Sequence, residues 1–249
     1  MTGLSWQSLR TRLVAGALCA AVASIWIVTL VIGKYLRADM EAAISAQQHS
    51  TVSLIASEID RSVNERNEIL GQLAGRLGDA GEVDGRAAQA LLESQSGLEP
   101  MFNWGVIVLD ADGVAIASVP GKHNRVGGDY GDLSFFAKLK ESNEPLITPP
   151  LRGRHTGAPV LTIAQPIRAP GGRFIGAVLG VTNLHEPNFL DQVGSAKYGR
   201  TGDFMVTDAR ARVYVASSDK RRVMQAGPAP GVNAVYDRYI DGHEGSGVA

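Results

Sequence analysis

Residues 102–118, FNWGVIVLDADGVAIAS, decide how this chain folds. Two apolar runs, 106–109 and 114–117, flank Asp110-Ala111-Asp112-Gly113. That cluster favours a tight turn, because Asp bonds back to nearby backbone and Gly accepts a positive φ. The stretch therefore predicts a β-hairpin. Downstream, PLITPPL (145–151), PVLTIAQPI (159–167) and RFIGAVLGV (173–181) read as three further strands, punctuated by 153–157 and by Ala169-Pro170-Gly171-Gly172. A helix-capable stretch at 132–141 lies between the second and third strands. Five strands joined by hairpins around one helical insertion predict a small antiparallel α+β domain rather than a parallel βαβ one.

The hairpin pattern then returns. VLDADGVAIAS (108–118) is echoed by VTDARARVYVAS (206–217): Val108 and Val206 each precede an Asp by two residues, Asp110-Ala111 matches Asp208-Ala209, and Ala-Ser closes both. A repeat near one hundred residues implies two tandem copies of one domain type, not a short solenoid unit. Only about fifty residues are left for the second copy, against about eighty in the first, so its sheet is expected to be incomplete in this chain.

Upstream, 41–77 contains no Pro and only Gly71 and Gly75. Val52, Ile55, Ile59, Val63, Leu70, Leu73 and Leu77 recur every three or four residues, with Arg66 the one polar break in the stripe. This predicts one long amphipathic helix, whose narrow seam suits packing on its own domain or on a second copy. Residues 78–85 end it, and 86–94 read as a short second helix. Further upstream, LVAGALCAAVASIWIVTLVIG (13–33) carries no charge and is long enough to cross a hydrocarbon core of roughly 30 Å. A cleaved secretory signal would share the basic start at Arg10 and Arg12, but its apolar core runs to about 7–15 residues, and this one continues to Ile32. The expectation is an uncleaved transmembrane helix. Arg10 and Arg12 without any acidic neighbour keep the N-terminus cytoplasmic, which places everything after about residue 35 outside the cytoplasm.

The charge balance, 24 Lys and Arg against 25 Asp and Glu, supplies no basic field for counterion release, so nucleic acid is not an expected partner. A single cysteine, Cys19, excludes both an intramolecular disulfide and a Cys-based zinc site. The five histidines, at 49, 123, 155, 185 and 243, are scattered without the i, i+4 spacing of a helical metal site. Ser246 lacks the Gly-x-Ser-x-Gly frame of a nucleophile elbow, because Glu244 stands where the first Gly belongs. No catalytic residue, metal or cofactor is expected within these residues.

What is left is a set of aromatic and polar side chains that the strand order gathers near the sheet. Tyr130, Phe135 and Phe136 lie on the inserted loop and helix, Thr148, Arg152 and Arg154 on or after the third strand, and Thr162 and Thr182 on the last two. Aromatic walls with a few convergent donors suit a small-molecule site. Phe135 and Phe136 equally suit ordinary core. Arg152, Arg154 and His155 suit either a solvated hairpin loop or the reading of an anion through guanidinium bonds.

In order, the long helix, FNWGVIVLDADGVAIAS, VGGDYGDLSFFAKL, EPLITPPLRGRHTGAPVLTIAQPI, GGRFIGAVLGVTNL and YGRTGDFMVTDARARVYVAS resemble the extracytoplasmic double Cache (dCache, PAS-like) sensor regions of bacterial signalling proteins. The likeness runs from about residue 38 to the end, and its style is most similar to that of membrane diguanylate cyclases. It implies a cytoplasmic tail at 1–12, a transmembrane helix at 13–33, and a long and a short helix over 34–100. A membrane-distal PAS-like domain would follow at 101–194, and a truncated membrane-proximal one at 195–249. It further implies a homodimer through the long helix in the bacterial inner membrane and a periplasmic small-molecule ligand. A second transmembrane helix would lead to a diguanylate cyclase, histidine kinase or chemoreceptor output beyond residue 249. A ligand-free structural or dimerisation module is the alternative. The amino-acid-binding members of that family carry Arg-x-Trp-Tyr on the inserted helix and an Asp ending the last distal strand. Here those positions read Leu133, Phe135, Phe136 and Thr182, which leaves no carboxylate fork and no counter-charge for an ammonium. A small carboxylate or other anion read by Arg152 and Arg154 is the expected ligand.

Overall fold

The computed structural model describes residues 9–120, 125–154, 156–191, 193 and 204–245, and the chain divides into two compact units, Met1–Val52 and Ser53–Ala249. The described residues of the first unit are helical: α1 (Leu9–Gly78) runs through them without a break. Its apolar residues Leu13, Ile25, Trp26 and Ile27 are 62–67% exposed. By length and composition α1 is long and apolar enough to cross a membrane.

In the second unit the end of α1 packs on a sheet. The strands are β1 (Val106–Asp110), β2 (Ala115–Val119), β3 (Leu146–Ile147), β4 (Leu151–Arg152), β5 (Pro159–Arg168) and β6 (Phe174–Asn183). Their order is β2-β1-β6-β5-β3, with β4 also on β5, and every pairing is antiparallel. The run 145–151, read from sequence as one strand, is two short pieces on the edge. Pro149 and Pro150 have no N–H to donate, so the ladder with β5 lapses between Ile147 and Leu151. Thr148 spans the gap: its N–H donates to the Thr162 carbonyl at 2.9 Å, and its hydroxyl accepts from the Thr162 N–H at 3.2 Å.

The two long strands β5 and β6 are largely buried on both faces because both faces are covered. On one side Leu70, Leu73 and Leu77 of α1 join Ile163, Ile167 and Val178, with α2 (Gly85–Glu93) completing the layer. The Asp84 carboxylate caps α2 by accepting from the Ala87 N–H at 2.8 Å. On the other side Phe136 and Leu139 of α4 (Ser134–Glu141) bury themselves over Leu109, Ala164 and Ala177. Two of the glycines sit where the hairpin and the sheet leave no room for a side chain. Gly113 turns the first hairpin at φ +93°, and a Cβ there would lie 2.5 Å from Gly131. Gly180 gives its space to the ring of Phe102, which a Cβ would meet at 2.2 Å. Phe102 follows the short helix α3 (Leu98–Met101) and is fully buried.

The polar break in the helix stripe has a partner. Arg66 is 7% exposed; its Nε donates to the Met101 carbonyl at 3.1 Å, Nη1 donates to the Ser62 carbonyl at 2.8 Å, and the guanidinium lies 4.0 Å from the Phe189 ring centre. Burial holds its pKa below the ordinary arginine value. Ile55 and Ile59, read as a possible seam between copies, pack against a cluster of Leu161, Leu184 and Val215 in their own chain.

The second hairpin, β7 (Met205–Asp208) and β8 (Val213–Ser217), repeats the first in detail. The register slips after Val206 as it does after Val108. Asp208 accepts from the Ala211 N–H, as Asp110 accepts from those of Asp112 and Val114. Arg212 takes a positive φ, 52°, where the first copy has Gly113. An isolated bridge joins Val213 to Ala226, as one joins Val114 to Asp129, and a helix, α5 (Ala234–Ile240), follows as α4 does. The one-residue offset between the two Ala-Ser endings reflects the longer turn of the second copy.

Candidate ligand cavity

Strand parity settles which side chains meet. Thr162 pairs with Val181, so Val160 and Thr162 share a face with Leu179 and Val181 and form a floor, joined by Ile107 of β1. Leu133 and Phe135, at the start of α4, close one side, and Leu151 with Arg152, Gly153, Arg154 and Thr156 closes the other. Tyr130 and Arg125 enter from the loop before α4. That loop is pinned to the first hairpin by three backbone bonds: Ala115 N–H to the Gly128 carbonyl at 2.9 Å, Gly127 N–H to Ala115 at 2.7 Å, and Tyr130 N–H to Gly113 at 2.9 Å. Trp104 completes the wall, and the space enclosed is about 310 Å³.

Five of the eight residues singled out from sequence line this cavity: Tyr130, Phe135, Arg152, Arg154 and Thr162. Three lie elsewhere. Phe136 is core, 1% exposed and edge-on to Phe174 with ring centres 5.7 Å apart. Thr148 is buried in the edge-strand gap. Thr182 pairs with Leu161, and so belongs to the sheet face opposite the cavity floor. His155 lies outside the described residues.

The cations are unequal. Arg154 is neutralised at the rim, its Nη2 donating to both oxygens of Asp132 at 2.6 and 2.8 Å. That bond raises the Arg154 pKa and holds the Asp132 carboxyl below its usual range. Arg152 donates to the Gly157 carbonyl at 3.1 Å in exposed surroundings. Arg152 and Arg154 are not the only cations here: Arg125, overlooked in sequence because a cation in a Gly-rich loop reads as solvated, is only 5% exposed. Its Nη2 donates to the Trp104 carbonyl, while its buried Nη1 has no partner among the described residues. Burial pulls its pKa down, against the opposing influence of Tyr130, and the same burial raises the Tyr130 phenol. No Asp or Glu is among the described residues lining the cavity. No group of three or more His, Cys, Asp or Glu among the described residues could hold a metal ion.

Comparison with known proteins gives matches over most of this chain. The Cache domain family matches residues 36–248. Sporulation kinase D of Bacillus subtilis (strain 168) is 28% identical over 134 residues, 52% of this chain and 26% of that protein, so the chain spans about a quarter of this relative's length. Two solved structures share the fold. The ligand-binding domain of the Pseudomonas fluorescens chemoreceptor CtaA, in complex with L-isoleucine, superposes with a TM-score of 0.62 at 20% identity, covering 76% of this chain and 75% of that one. An extracellular ligand binding receptor from Desulfohalobium retbaense DSM5692 gives 0.58 at 20% identity, covering 83% of this chain and 35% of that one.

Proposed function

Because the chain belongs to the Cache domain family, we propose that it is the extracytoplasmic, small-molecule-sensing input region of a membrane-anchored bacterial signalling protein. The observation that carries this reading is the cavity of about 310 Å³ between the sheet and the start of α4, with apolar walls and convergent donors. A ligand-free structural module would fill that sheet face with side chains. Residues 13–33 are the inner-membrane anchor, with 1–12 cytoplasmic and the rest periplasmic. The long and short helices take 34–100, a membrane-distal sensor domain 101–194, and the start of a membrane-proximal one 195–249. A homodimer forms through α1, where Ile44, Val52 and Leu54 are exposed apolar residues. The bound amino acid of CtaA supports small-molecule sensing. Sporulation kinase D supports a kinase output and CtaA a chemoreceptor one, with a diguanylate cyclase the third candidate.

The test is a thermal-shift screen of the full chain in detergent against a library of amino acids, carboxylates, amines and neutral metabolites. At least one compound should stabilise the wild type and fail to stabilise Phe135→Trp, which narrows the cavity. If no compound stabilises the wild type, the sensing reading is wrong. A reporter fused after residue 60 should behave as periplasmic; cytoplasmic activity would overturn the topology.

A further inference from the structure

Resting on the cavity as a ligand site, we propose that it selects an anion with an apolar body and no ammonium group, and that Arg125 reads the anion. The fitting class is a short aliphatic or aromatic monocarboxylate.

The floor and one side set the body of the ligand. Ile107, Leu179 and Val181 present only hydrocarbon, and Leu133 and Phe135 face them across the space. A volume of about 310 Å³ sits at the low end of small-molecule cavities, so the ligand is small.

The charges set its head. Arg125 lines the cavity while almost wholly removed from water, with one nitrogen held by the Trp104 carbonyl and another buried without an acceptor among the described residues. A desolvated guanidinium with donors to spare is stabilised by an acceptor, and most strongly by a charged one in its plane. A carboxylate seated against the part of Arg125 that lines the cavity supplies the missing counter-charge. Arg154 already has its carboxylate in Asp132, and Arg152 stands in solvent on a backbone carbonyl, so neither carries the same deficit. A zwitterion fares worse than a simple anion. Its ammonium would enter a wall that holds the guanidinium groups of Arg125 and Arg152 and, among the described lining residues, no carboxylate to face it, since the rim carboxylate of Asp132 is already bonded to Arg154.

The experiment compares shape-matched probes on the full chain in detergent by calorimetric titration: 3-phenylpropanoate, 3-phenylpropanamide and phenylalanine, then hexanoate, hexanamide and norleucine. One carboxylate of each set should bind at least tenfold more tightly than its amide and its amino acid. Arg125→Gln should weaken the carboxylate at least tenfold, Arg125→Lys should recover part of the loss, and Arg152→Gln should change affinity less than threefold. Amide or amino acid binding as tightly as the carboxylate overturns the inference while leaving the cavity a sensing site, and this comparison needs no variant. Unchanged carboxylate affinity in a folded Arg125→Gln overturns the role of Arg125. Absence of binding by these probes and by the whole library above removes the sensing reading and this inference together.

Discussion

Arg66→Met tests the way the long helix is fastened to the sheet domain. The substitution keeps an aliphatic stem of similar reach and removes every donor. Two bonds are lost, but they are not equal. The Ser62 carbonyl, one turn back on the same helix, keeps the backbone donor that an α-helix provides at i+4. The Met101 carbonyl loses its side-chain donor outright. A hydrogen bond from a charged group contributes about 1.5–3 kcal/mol, and a guanidinium over a ring about 0.5–2 kcal/mol when desolvated. Against these stands relief from holding a buried charge, the same desolvation that lowers the Arg66 pKa. A net loss of about 2 kcal/mol follows, which for a chain of this size corresponds to a melting shift of about 4–8 °C. Arg66→Lys should recover little, because a point charge cannot both reach Met101 and stack on Phe189. The assay is a thermal melt of the detergent-solubilised chain, with hydrogen exchange over 98–105 as the local readout. A shift below about 1 °C for Arg66→Met, with exchange over 98–105 unchanged, would refute the fastening.

Three further outcomes are expected. Gly180→Ala drives a Cβ into the Phe102 ring and should destabilise by about 1–3 kcal/mol, with Phe102→Leu in the same chain recovering part of it; strict additivity of the two in melting experiments would contradict the contact. Asp237 accepts from Arg212 and from the Gly231 N–H at 2.8 Å, and its carboxyl is held below the usual range chiefly by the Arg212 bond. A depressed carboxyl stabilises the fold above its unfolded value of about 3.9 and loses that contribution as pH falls through the folded one. Amide protection of α5, corrected for intrinsic exchange, should therefore hold from neutral pH to about 5 and fall in more acid solution, and Asp237→Asn should abolish the pH dependence. Replacing Ile55 and Ile59 together by Asp should increase protease cleavage within 204–223, since both pack on that part of their own chain. Unchanged cleavage would return them to a seam between copies.

The parts of the fold that rest on local chemistry are legible in the sequence. The first hairpin is written in Asp110 and Gly113, whose turn bonds and positive φ need no distant partner, and its echo at Asp208 follows the same rule. What depends on distant pairing is not. Thr162 and Thr182 look equivalent until the register sets Thr162 against Val181 and Thr182 against Leu161, on opposite faces. Phe135 and Phe136 differ by one helical step, which turns one toward the cavity and the other into the core. Arg125 was illegible for the same reason: its burial comes from backbone bonds that tie its loop to β2 and Gly113, none of which a sequence pattern announces.

Those long-range ties converge on one short segment. Met101 accepts from Arg66 of α1, Phe102 fills the space over Gly180, and Asn103 donates to the carbonyls of Asn183 and Pro187 at 3.0 and 2.9 Å. Trp104, next along, walls the cavity and accepts from Arg125. The two faces of the sheet, one bearing the long helix and one bearing the cavity, are thus joined by four consecutive residues as well as by the sheet itself. A ligand biases a distant element only through a difference in affinity between two arrangements, and contiguity alone supplies no such difference. The segment does supply a place for one. An anion that takes Arg125 competes with the Trp104 carbonyl for the same guanidinium, and any shift of that peptide is passed by covalent geometry to the Met101 carbonyl, three residues away, where Arg66 holds it. Coupling between the cavity and α1, where it exists, should therefore weaken in Arg66→Met even when affinity at the cavity is kept.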